Sequence, residues 1–261
     1  MWSRQRSLTV SNKDQIESVT GICGFDADTI LLRGQNLVDD VMGAHSLTSA
    51  FLLQALGTPP TARQVELIDL VLVTIMEHGL TPSVVASRLT LHGAPESLQG
   101  AVAAGLLGVG DRYAGTASQC GVALEAVMRE EDTAAAAQAL VADYRSRRVP
   151  VPGFGHPIHT GRDPRVEKLL AHVAKDSDAL AAAVALESAL SDALGRPLVM
   201  NVSTALAVVM FEAGLPAVIM RGVVLIARCA GLVGHLLEEI ETPVGNALWR
   251  GAEGAVTYQS D

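Results

Sequence analysis

Apolar positions recur at helical spacing along most of this chain, and only a short run at Thr29–Leu32 reads as extended. The periodicity predicts a first group of helices over Leu37–Ala44, Ser46–Leu56, Ala62–Glu77, Ser83–Thr90 and Pro95–Gly105, after an irregular entry over residues 12–35. A second group is predicted over Gly115–Arg129, Thr133–Ser146, Pro164–Val173, Ala179–Leu194, Val202–Gly214 and Ala217–Glu239. Thr61 with Gln64 three residues later reads as a capping box, and Pro59-Pro60 breaks the chain before it. The run from Arg147 to Gly155 cannot be regular helix, because Pro150, Pro152, Gly153 and Gly155 interrupt it. A loop of this kind between helices is where function is displayed.

Composition strengthens the helical reading. Apolar residues make up 49% of the 261 but aromatics only 3%, so the core is built from Ala, Leu and Val. Alanine and leucine lead the helix propensities, and an all-α fold is expected. A net charge of −9 argues against nucleic acid or anionic membrane as partner. The most hydrophobic window, Ala217–Gly234, carries Arg221 and Arg228 and reads as a core helix rather than a membrane span. The N-terminal stretch lacks the apolar core of a signal peptide, and the three scattered cysteines suit reduced thiols, so a cytoplasmic location is expected.

The chemistry centres on His156, which follows the Pro-Gly turn and the two glycines, with Arg162 and Arg165 within reach. At a helix entrance, orphan N–H groups favour anions, so a carboxylate could be held beside a titratable group. On the residues alone, a capping histidine is an equally good reading. His78 at a helix end and Asp111 before a helix are also explained as caps. Arg228 is more unusual: it sits in a very apolar helix with no carboxylate on the adjoining turns, and an anionic ligand is a credible partner. His235 reads as a packed core histidine. The seven histidines show no HExxH spacing or companion carboxylate set, so no metal is expected.

These blocks together resemble the citrate synthase superfamily. Glu77-His78-Gly79, the segment Gly105–Gly115, Gly153–Arg165, Asn201-Val202-Ser203 and Arg228 through His235 occur in the family's order. The Gly105–Gly115 segment resembles that of citryl-CoA lyase and of the lyase module of ATP-citrate lyase. The resemblance implies an all-α homodimer with the site in a cleft between a large domain (1–112 and 207–261) and a small one (113–206). It implies His156, His78 and Asp111 as catalytic residues, and His78, Arg165, Arg228 and Arg250 as carboxylate ligands, Arg250 being donated by a second subunit. Val151, Pro152, Gly153, Phe154 and Gly155 would wrap the coenzyme A of a thioester substrate, with no permanently bound cofactor. Two departures stand out: Asp111 replaces a histidine of the synthases, as in the lyases, and Ser203 replaces the family's aspartate. The expected reaction is cleavage of a citryl-CoA-type thioester to acetyl-CoA and an oxo acid such as oxaloacetate. A related thioester lyase or condensing enzyme with another acyl group, and a non-catalytic binding homologue, are the alternatives.

Overall fold

The computed structural model describes residues 19–111, 115–155 and 163–259. The chain divides at Pro60 into two compact units. The first holds three short antiparallel strands, β1 (Cys23–Phe25), β2 (Ile30–Leu32) and β3 (Gln35–Asn36), where the sequence predicts an irregular entry with one extended run. Asp26 closes the first turn by accepting the Asp28 and Thr29 N–H groups at 2.9 and 2.7 Å. Arg33 and Gly34, both at positive φ, make the second turn in the left-handed form that suits hairpins. The predicted helix at Leu37–Ala44 is only a π-helical turn, Leu37–Val41, started by the Asn36 side chain and followed by Gly43 at φ 78°. Helix α1 (Leu47–Leu56) begins at the Ser46 cap and ends at the left-handed Gly57. The Arg33 guanidinium donates twice to the Gln54 carbonyl, a cation on the last turn of that helix.

The second unit is helical among the described residues: α2 (Ala62–Ile75), α3 (Pro82–Gly93), α4 (Leu98–Leu107), α5 (Thr116–Met128), α6 (Thr133–Ser146), α7 (Pro164–Leu170), α8 (Asp178–Leu194), α9 (Val202–Glu212), α10 (Ala217–Glu241) and α11 (Gly245–Ala255). The Thr61–Gln64 capping box opens α2 as expected. Helix α9 is buried on every side from Thr204 to Met210, which its uniformly apolar sequence allows. Helix α10 is long and apolar enough to cross a membrane by length and composition, but here it packs against α2, α3, α4, α5 and α9.

Among the helices of the described residues, α11 is the one that the periodicity does not predict. It carries Gly245, Gly251 and Gly254, and its start is capped from outside. Glu239 Oε1 accepts the Val244 and Gly245 N–H groups at 3.0 and 2.7 Å, while its Oε2 takes the buried Arg88 guanidinium at 2.9 Å. Burial works against both charges of that pair. Their hydrogen bonds outweigh it, leaving the Glu239 carboxyl below and the Arg88 guanidinium above their ordinary pKa values.

Candidate active site

The proline- and glycine-rich loop is clasped to the segment before α9. Phe154 pairs with Met200, the Gly155 N–H donates to the Val199 carbonyl at 2.8 Å, and the Asn201 N–H donates to the Gly153 carbonyl at 2.9 Å. Asn201 does two further jobs. Its Oδ1 caps α9 through the Ser203 N–H at 2.9 Å, and its Nδ2 donates to the Gly155 carbonyl at 3.1 Å. Helix α8 braces the same segment, since Glu187 and Ser191 accept the Met200 and Leu198 N–H groups at 2.7 and 3.0 Å. Gly153 lies at φ 86°, and a Cβ there would overlap Thr204 Oγ1 and Cys120 Sγ. Burial pushes the Cys120 thiol up to about 12, so it is an inert packing group.

The loop residues Val151, Phe154 and Gly155 form one wall of an open groove of about 490 Å³. Leu190, Leu198 and Arg196 face them. Pro152 and Gly153 lie in the turn, the latter buried against α5 and α9.

A second, smaller pocket gathers the carboxylate-binding candidates. His78, Arg165 and Arg228 line it with Ser203, Ile75, Ala117, Val202, Leu206 and Val224. Its water-accessible space is about 60 Å³, room for a few waters. Arg165 follows the buried N-cap Asp163, whose carboxylate accepts its N–H at 2.9 Å and its Nη2 at 2.7 Å. Arg228 is half-buried, and no carboxylate lies at ion-pair distance among the described residues. Burial lowers its pKa, and the nearby charge of Arg165 adds to that while Glu77 opposes it. Arg165 and Arg228 share the lining of this small volume, and guanidinium groups are chemically suited to carboxylates.

His78 reaches the pocket because α10 comes close to the end of α2. A Cβ at Gly231 would overlap the Met76 carbonyl oxygen, so only glycine permits this approach. The turn after it, with Gly79 at φ 71°, sets His78 on the lining of the pocket that Arg228 shares. Burial raises the Glu77 carboxyl, but the Gly79 and His78 N–H groups and His235 outweigh it and hold the carboxyl below its ordinary range.

Asp111 and Arg250 do not line this pocket. Asp111 is exposed and pairs with Arg221, two helical turns before Arg228 on α10. That partner was visible in the sequence only as a charge in an apolar helix. Arg250 lies on the exposed side of α11. His156 and Arg162 fall outside the described residues.

Among solved structures, citryl-CoA lyase from Hydrogenobacter thermophilus is 27% identical and superposes at a TM-score of 0.83, over 94% of this chain and 95% of that one. ATP citrate lyase from Methanothrix soehngenii, in complex with citrate and coenzyme A, is 20% identical with a TM-score of 0.77, over 95% of this chain and 42% of that one. Curated relatives from Mycobacterium tuberculosis and Mycobacterium bovis are 28% identical over 214 residues, which is 78% of this chain. The chain spans about half of their length, 54%. The profile of the family described as "Citrate synthase, C-terminal domain" matches residues 29–252, and with the all-α fold this places the chain in the citrate synthase family.

Proposed function

We propose that the chain is a lyase that cleaves a citryl-CoA-type thioester into acetyl-CoA and an oxo acid such as oxaloacetate. The observation that carries this reading is the convergence of His78, Arg165 and Arg228 on one pocket with no acidic residue in its described lining. The match to citryl-CoA lyase over 95% of its length supports it. The two arginines grip substrate carboxylates and His78 orients the hydroxyl-bearing carbon. His156, by family resemblance, takes the hydroxyl proton as the carbon–carbon bond breaks. The electron pair moves to the acetyl fragment, giving the thioester enolate, which is then protonated at carbon. The loop Val151–Gly155 holds the coenzyme A portion, and Arg250 serves the pocket of a partner subunit in a homodimer.

Ser203 favours cleavage over condensation as the working direction. Abstracting a proton from a thioester α-carbon is strongly uphill and needs a positioned base, worth about 10²–10⁴-fold in rate. Protonating an enolate is downhill, and water suffices. In this reading Asp111 stays paired with Arg221 unless the substrate draws it away.

The test is incubation of the purified chain with citryl-CoA and chromatographic detection of acetyl-CoA and oxaloacetate. Turnover that is lost in Arg228→Met supports the reading. Inertness toward citryl-CoA with cleavage of a different hydroxyacyl-CoA would move the activity to another acyl substrate. Coenzyme A binding without turnover of any thioester would make the chain a binding homologue.

A further inference from the structure

We infer that His235 is a positioning residue that locks the Glu77–Gly79 turn, and with it the His78 imidazole, against the arginine pocket. The inference rests on the proposed role of His78 as a substrate ligand.

His235 lies one helical turn beyond Gly231, the point where α10 meets the end of α2, and its side chain is only 14% exposed. Arg88 reaches its Nδ1 from Nη2 at 2.8 Å and from Nε at 3.3 Å. A guanidinium only donates, so Nδ1 accepts and the ring proton sits on Nε2. That nitrogen is buried 2.8 Å from Glu77 Oε2, though poorly aligned for a hydrogen bond. The other oxygen of Glu77 accepts the Gly79 N–H, and the carboxylate also takes the His78 N–H. Glu77 is therefore held between His235 on one side and the backbone of the His78 turn on the other.

Arg88 is itself fixed. It is 2% exposed, bonded to Glu239 Oε2 at 2.9 Å and paired with Glu238, while Glu239 caps α11. A continuous polar chain thus runs from α11 through Glu239, Arg88, His235 and Glu77 to the backbone of His78. A histidine needed only for packing has no use for a donor-only partner at one nitrogen and a carboxylate at the other. With Arg88 dictating the tautomer, the protonated nitrogen is the one that lies beside Glu77 Oε2.

Two substitutions separate the arms of the imidazole. In His235→Asn the side-chain oxygen replaces Nδ1 and keeps the Arg88 bond, but it cannot reach Glu77. In His235→Gln the amide nitrogen replaces Nε2 and restores the contact with Glu77. We expect His235→Asn to melt near wild type, with faster hydrogen exchange at the Gly79 amide and kcat/KM for citryl-CoA reduced about 10²-fold, as for a misplacement of about 1 Å. His235→Gln should recover most of both losses. Equal behaviour of the two variants, or unchanged Gly79 exchange in His235→Asn, would overturn the inference. If His235→Asn does not fold, Glu77→Gln, which leaves Arg88 and His235 in contact, carries the same two readouts. A wild-type chain inert toward citryl-CoA would sink the functional reading alone, and the Gly79 exchange comparison would then decide this one.

Discussion

Replacing Arg228 with methionine should make the free protein more stable and its ligand weaker. The guanidinium is half-buried, carries no ion-pair partner among the described residues and lies near the like charge of Arg165. Its pKa is lowered in the fold, which means that the fold disfavours the charged form. Both folded and unfolded chains keep that charge at neutral pH, so the penalty is constant there. Methionine fills similar volume without the charge. Relief of a strained functional charge is worth about 1 kcal/mol, or roughly 2–4 °C in melting temperature for a chain of this size. Losing a charge-assisted hydrogen bond to a carboxylate removes about 1.5–3 kcal/mol of binding, a weakening of roughly 10- to 150-fold. Thermal melts with and without citrate read both effects at once. Wild type should melt lower than Arg228→Met without citrate and rise more when citrate is added. A variant that melts lower and binds citrate unchanged would refute the reasoning, because Arg228 would then be paired for structure.

Three further outcomes follow from the geometry. Gly231→Ala places a Cβ on the Met76 carbonyl, so overpacking should cost about 1–3 kcal/mol by denaturant titration and displace His78, lowering turnover. Glu77 and Glu239 have lowered pKa values, so as pH falls the unfolded chain takes up protons first. Their stabilisation should be complete above about pH 4.5 and be lost below it, and chemical melts from pH 7 to 3 would follow the loss. Cys120 should resist iodoacetamide in the folded protein while the exposed Cys23 reacts, which mass spectrometry of the alkylated chain can check.

Charges in chemically odd places are legible in the sequence alone. Arg228 stood out because an apolar helix gave it no carboxylate, and the structure sets it in a pocket with Arg165 and His78. Helix starts with local caps, such as Thr61, were equally readable. What the sequence hid was pairing over long separations. Asp111 looked like a simple N-cap, yet its carboxylate meets Arg221, which is 110 residues away. Helix α11 was invisible because its glycines weaken propensity and its cap comes from Glu239 on the preceding helix. His235 read as core packing, since nothing nearby in sequence announces Arg88 or Glu77 as its neighbours.

The asparagine clasp has a corollary for position 203. At the start of α9 the cap uses the main-chain N–H of Ser203, whereas the hydroxyl takes no part in it. The side chain at 203 can therefore be exchanged without loosening either the helix or the glycine loop. The cap thus fixes the backbone at this wall of the pocket while leaving the identity of the side chain that lines it to other demands.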